Sequence, residues 1–128
     1  MLFVHNRETG KTKNINIGAD GKSANGPSSS APSLSADGRY IAFGSEANNL
    51  VAVGGTIAKQ NAFVHDQKTG NTQIITVNSK GIPGNDGGCI NPSISADGRY
   101  VAFETDANNL VPGDTNGKTD IFVHDNQE

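Results

Sequence analysis

The sequence has no tryptophan, one cysteine and one methionine, and aromatic residues make up only 5% of it. A lone Cys89 excludes an internal disulfide framework and leaves the redox compartment undetermined. No apolar stretch approaches the roughly 20 residues needed to cross a bilayer as a helix. The opening Met1-Leu2-Phe3-Val4-His5-Asn6-Arg7 lacks the apolar core of a signal peptide. Basic residues form no run or stripe: 10 Lys and Arg are interspersed with 13 Asp and Glu, for a net charge of −3. That distribution argues against a nucleic-acid footprint. Asn91-Pro92-Ser93 is no glycosylation sequon, because proline fills its middle position.

What the chain does have is turn chemistry. Sixteen glycines among 128 residues is nearly twice the usual share of about 7%. With the many Asn, Asp and Ser residues they point to frequent tight turns and against long helices.

The sequence also repeats itself. Ser35-Ala36-Asp37-Gly38-Arg39-Tyr40-Ile41-Ala42-Phe43 returns as Ser95-Ala96-Asp97-Gly98-Arg99-Tyr100-Val101-Ala102-Phe103. Ala47-Asn48-Asn49-Leu50-Val51 returns at Ala107 to Val111 in the same register. Phe3-Val4-His5-Asn6 returns as Phe63-Val64-His65-Asp66 and again as Phe122-Val123-His124-Asp125, and Thr9-Gly10 returns as Thr69-Gly70. Each unit reads as four short strands. Pro92 to Ser95 is the first, ending at Asp97-Gly98, a hairpin signal because such turns need positive φ. Tyr100 to Thr105 is the second, with Val, Phe and Thr on one face. Ile121 to Asp125, or Ala62 to Asp66, is the third. Gln73 to Val77, rich in β-branched residues, is the fourth, and its counterpart is Lys13 to Ile17.

Repeated four-stranded antiparallel units predict an all-β fold of β-propeller blades. A β-sandwich, the alternative, does not normally show such self-similarity. The two copies of Ser-Ala-Asp-Gly-Arg-Tyr, the following Ala-Phe, and the later Phe-Val-His-Asp resemble the WD40-like PD40 repeat of TolB-type β-propellers. That family commonly has proline where Ala36 and Ala96 stand, and tyrosine where Phe63 and Phe122 stand. The resemblance covers nearly the whole chain. It implies a propeller and a bacterial, periplasmic or extracellular setting, but little about activity, since propellers host many functions.

The phase of the repeat divides the chain into a partial blade at 1–31 holding strands three and four, a complete blade with its connection at 32–90, and a partial blade at 91–128 holding strands one to three. Partial blades would leave sheet edges and faces open. Two remedies are expected: a cyclic homo-oligomer, or further blades of a longer parent. Two units per chain across typically four to eight blades permit a dimer, trimer or tetramer, and six blades as a trimer is the preferred count.

Candidate chemistry is sparse. In Asp114-Thr115-Asn116-Gly117-Lys118-Thr119-Asp120, the residues Asp114, Asn116 and Asp120 carry oxygens at spacings a calcium loop could use. The competing reading is a plain Asn116-Gly117 turn with the aspartates capping backbone. The first copy, Val53 to Asn61, has no carboxylate. His5, His65 and His124 share one strand position, which suggests either a ring of ligands or simple copying of a packed residue. Asp37 and Asp97 are best explained by their turns. Thr9-Gly10-Lys11-Thr12 and Gly21-Lys22-Ser23 lack the upstream glycine of a phosphate-binding loop. Cys89 is placed in a loop as an inert thiol.

The leading functional reading is a non-enzymatic scaffold binding protein or carbohydrate. The alternative is a hydrolase or lyase whose active site forms only at the centre of a complete propeller. A calcium loop requires that excess chelator lower the melting temperature and that Asp114→Ala abolish the effect. A melting temperature indifferent to chelator leaves the turn.

Overall fold

The computed structural model of the chain describes residues 2–15, 17–18, 21–27, 32–51, 60–77, 89–105, 110 and 120–126, with backbone alone at 89, 90 and 120. Among these residues there are nine strands and no helix. β1 (Phe3–His5) and β2 (Thr12–Asn14) form a two-stranded sheet. β3 (Ser33–Leu34), β4 (Tyr40–Ser45), β5 (Asn61–Asp66) and β6 (Thr72–Ile74) form a central sheet of four strands in chain order. β7 (Cys89–Ile94), β8 (Tyr100–Thr105) and β9 (Asp120–Asp125) form a third sheet. Every pairing is antiparallel.

The repetition in sequence is also a repetition in register. Tyr40 pairs with Asp66 and Phe43 with Phe63; Tyr100 pairs with Asp125 and Phe103 with Phe122. Each Phe pair is a cross-strand ring contact, with centroids 5.7 and 5.9 Å apart. The turns at Asp37-Gly38 and Asp97-Gly98 hold their glycines at φ +76° and +77°, a conformation that penalises any Cβ.

Because strand side chains alternate, β4 and β5 of the central sheet send apolar groups both ways. Ile41, Phe43 and Phe63 pack with Leu2 and Ile15 of the first sheet's segment and with Ala47 and Leu50. Ala42, Ala62, Val64 and Ile75 pack with Val101, Phe103 and Leu110 on the other side. The three sheets therefore lie face to face, with an apolar layer in each of the two seams.

The Ala47-Asn48-Asn49-Leu50-Val51 motif anchors the segment arriving from the first sheet. Asn25 donates its N–H to Asn49 Oδ1 at 2.9 Å and accepts from Asn48 N–H at 2.9 Å, while Asn49 Nδ2 donates to Ser23 O at 3.0 Å. Glu46 N–H and Ser45 Oγ both donate to Pro27 O, at 2.9 and 3.1 Å. Gly26 lies so close that a Cβ there would stand 2.8 Å from Ala47 N.

Several strand limits differ from the sequence reading. β7 begins at Cys89 rather than Pro92, so Cys89 is on a strand, opposite Thr105, and not in a loop. The register shifts between Ile90 and Ser93, where Asn91 has φ 53°. A bulge of this kind lets a strand run through a proline that has no N–H to donate. The fourth strands are shorter than the β-branched runs suggested, β6 ending at Ile74 and β2 at Asn14. One more backbone bond follows each, from Ile75 to Ala62 O and from Ile15 to Leu2 O.

Phe63 is fully buried whereas its repeat counterpart Phe3 is 54% exposed. Phe63→Ala should therefore destabilise the chain by about 3–5 kcal/mol, and Phe3→Ala by well under about 1 kcal/mol, as read by urea denaturation.

Candidate functional site

The seam between the central and third sheets brings together polar side chains of both units, among them Asp66, Asn71, Gln73, Asp97 and Arg99. Its construction starts at the turns. Asp37 Oδ1 accepts from Ser35 Oγ at 2.8 Å and from Arg39 N–H at 3.0 Å, and Ser35 Oγ accepts from Tyr40 N–H at 3.0 Å. Asp97 repeats this with Ser95 at 2.7 Å and Arg99 N–H at 3.0 Å, and Ser95 Oγ accepts from Tyr100 N–H at 2.9 Å. Both carboxyls sit below the usual range, Asp37 chiefly through the Arg39 N–H and Asp97 chiefly through the Ser95 hydroxyl.

The next residue, arginine, ties each turn to the third strand of its own sheet. Arg39 Nε and Nη2 donate to the two oxygens of Asp66, both at 2.9 Å, and its guanidinium lies 4.8 Å from the Tyr40 ring centroid. Arg99 does the same to Asp125 at 3.1 and 3.0 Å, and lies 4.9 Å from the Tyr100 centroid. Such forked pairs fix orientation as well as charge. Arg39 holds the Asp66 carboxyl down at about 2. Asp66 Oδ1 also accepts the Lys68 N–H at 2.9 Å, which shapes the β5–β6 turn.

Across the seam, Ala36 N–H donates to Ala96 O at 3.0 Å, Ile94 N–H to Ser33 Oγ at 3.1 Å, and Gln73 Nε2 to Asn126 Oδ1 at 3.1 Å. The Tyr40 ring lies against Gly98, where a Cβ would overlap it. Between these contacts a cleft of about 290 Å³ opens, lined among others by Tyr40, Val64, Asn71, Gln73, Asp97 and Arg99.

The recurring histidine behaves differently in each copy. His5 and His65 each engage a threonine through Nδ1 at 2.8 Å, Thr12 and Thr72 respectively. His5 is exposed, His65 buried and His124 half-buried. His65 Nε2 is buried without a hydrogen-bond partner among the described residues. Burial first, and Lys13 second, push its pKa below 6.5. His65 and Asp66 are consecutive on β5 and so point to opposite faces, which precludes a His–Asp pair. Among the described residues no three His, Cys, Asp or Glu side chains gather as a metal site. Of the candidate calcium loop, Asp114 and Asn116 lie outside the described residues, and Asp120 is described only as backbone opposite Thr105.

Spacing alone does not single out the arginine–aspartate pairs, although both partners recur in both full copies. The third copy of the aspartate position is Asn6. Its Oδ1 instead accepts from the N–H groups of Glu8 and Thr9 at 2.9 and 3.3 Å, capping its own turn.

No family model matches the chain, and no curated protein matches it. Among solved structures it is similar to the crystal structure of TolB from Acinetobacter baumannii, with a TM-score of 0.50 and 21% identity over 96% of this chain. The chain spans 23% of the length of that protein. The likeness is one of fold, a TolB-like all-β arrangement.

Acid should act on the fold in two steps. His65 binds a proton less readily folded than unfolded, so stability falls as pH drops below 6.5. Asp66 is likewise depressed, so a second loss runs from pH 3.8 toward about 2. Denaturation curves across pH should show the first limb flattened in His65→Gln and the second in Asp66→Asn.

Proposed function

We propose that this chain is a stretch of β-propeller acting as a non-enzymatic binding scaffold, and that further blades of the same kind cover its two end faces. One observation carries the reading: positions buried in the central sheet are bare at the ends. Val64 is 3% exposed and its counterpart Val123 66%; Ala62 is fully buried and its counterpart Ile121 is 74% exposed. At the other end Phe3 occupies the place of buried Phe63. Leu34 is exposed beside Ile41, where the first sheet has no strands among the described residues that correspond to β3 and β4 to cover it.

A sheet presenting residues like Val101, Phe103 and Phe122 would fit the β8–β9 outer face, because that is what covers the matching face of the central sheet. The blades could be supplied by further copies of this chain in a cyclic assembly, a trimer giving six, or by more of one longer polypeptide. The non-enzymatic part rests on the state of the polar groups. The recurring carboxylates are occupied by turns or by arginine, and His65 is buried on the face away from Asp66.

Light scattering on the chain should give a mass that is a multiple of 13.3 kDa. Val123→Lys should reduce it toward one chain while circular dichroism stays that of a β protein. A folded monomer indifferent to Val123→Lys would overturn the assembly. Turnover of sugar, ester or lactone substrates that Asp66→Asn abolishes would overturn the non-enzymatic reading.

A further inference from the structure

We propose that the cleft between the central and third sheets binds a neutral, pyranose-sized sugar. The proposal rests on the scaffold reading and names its ligand class. At about 290 Å³ the cleft falls just under the size of drug-sized ligand sites, which run from about 300 Å³ upward.

Its lining offers donors and acceptors that the fold has not used. The turn bonds of Asp97 fall on Oδ1, leaving Oδ2 to accept. The Asn71 side-chain amide makes no hydrogen bond among the described residues, and Gln73 spends only Nε2, on Asn126. Arg99 binds Asp125 through Nε and Nη2, leaving Nη1 to donate. Tyr40, which is half-buried, and the nearly covered Val64 are the apolar residues of the lining.

This mixture suits hydroxyl groups, each of which both donates and accepts, set around a ring with apolar C–H faces. It suits an anion poorly. Asp66 and Arg99 are already neutralised by Arg39 and Asp125, so the remaining uncompensated charge in the lining is the carboxylate of Asp97. A divalent cation would want several carboxylate or carbonyl oxygens converging on one point, which amides and a single carboxylate do not provide.

The chain contains its own control. At the seam between the first and central sheets, Lys11 and Lys13 occupy the positions of Asn71 and Gln73. That seam is cationic there, and Lys13 lies near enough to His65 to disfavour its protonation. The same backbone thus accepts lysine at both positions, and sugar recognition is confined to one seam.

The test uses the whole chain with glucose, galactose, mannose and N-acetylglucosamine, followed by saturation-transfer NMR, amide chemical shifts and calorimetry. At least one sugar should bind and shift the side-chain amides of Asn71, Gln73 and Asn126. The double variant Asn71→Lys/Gln73→Lys should stay folded by circular dichroism, with at most the small loss of its Gln73–Asn126 bond, and weaken that binding by about tenfold or more, the equivalent of two lost hydrogen bonds. Binding by none of these sugars, or binding unchanged in the double variant, overturns the proposal. Light scattering on the same sample reads the assembly separately, so a multimer that ignores sugar defeats only the ligand and a monomer that binds sugar defeats only the assembly.

Discussion

Burial of both faces of the central sheet is the constraint from which the rest of the molecule follows. A sheet with apolar groups on two sides must have a neighbour on each, and β4 and β5 alternate so that Phe43 and Phe63 serve one seam while Ala42 and Val64 serve the other. The small alanines at 42 and 62 let the third sheet approach, so that Val101 and Phe103 enter the layer. The outer sheets use the same alternation but, among the described residues, have a neighbouring sheet on one side. Their exposed Ile121, Val123 and Phe3 are the direct result.

Polar groups at the turn end lock the central and third sheets internally. A strand pair can slide by two residues without changing which side chains face the core. The arginine of the first hairpin, fixed to the aspartate that closes the third strand, opposes such a slip because only one register brings Arg39 to Asp66 or Arg99 to Asp125. These pairs are partly solvent-exposed, so their contribution is better seen as orientation than as a large stabilisation. Gln67 and Asn126 repeat the device, each donating a side-chain N–H to the carbonyl of the hairpin glycine, Gly38 or Gly98.

Copies of one unit also separate two kinds of residue. Positions identical in both copies, such as the Ser-Ala-Asp-Gly-Arg-Tyr hairpin, are engaged chiefly in bonds that build the unit. Two positions that differ between copies, Asn71 and Gln73 where the first copy has Lys11 and Lys13, line the cleft with hydrogen-bonding groups the fold has not used. In a chain of repeats, chemistry specific to one place has to come from such departures.

Much of this was legible in the residues themselves. Alternation assigned Tyr100 to Thr105 its buried face, Asp-Gly marked both hairpins, and the recurrence of Phe-Val-His-Asp marked the third strand, because these are short-range effects of side-chain period and turn conformation. The bulge that carries β7 through Pro92 was not legible, since it depends on pairing with β8 rather than on the proline's local preference. Nor could one line of residues show that His65 is buried and His5 exposed, or that Tyr40 rests on Gly98. By itself the sequence determined an all-β chain of duplicated hairpins. Only the tertiary structure decided which copy of each residue is covered, because burial and cleft formation belong to pairs of sheets and identical units acquire different surroundings by where they stand in the stack.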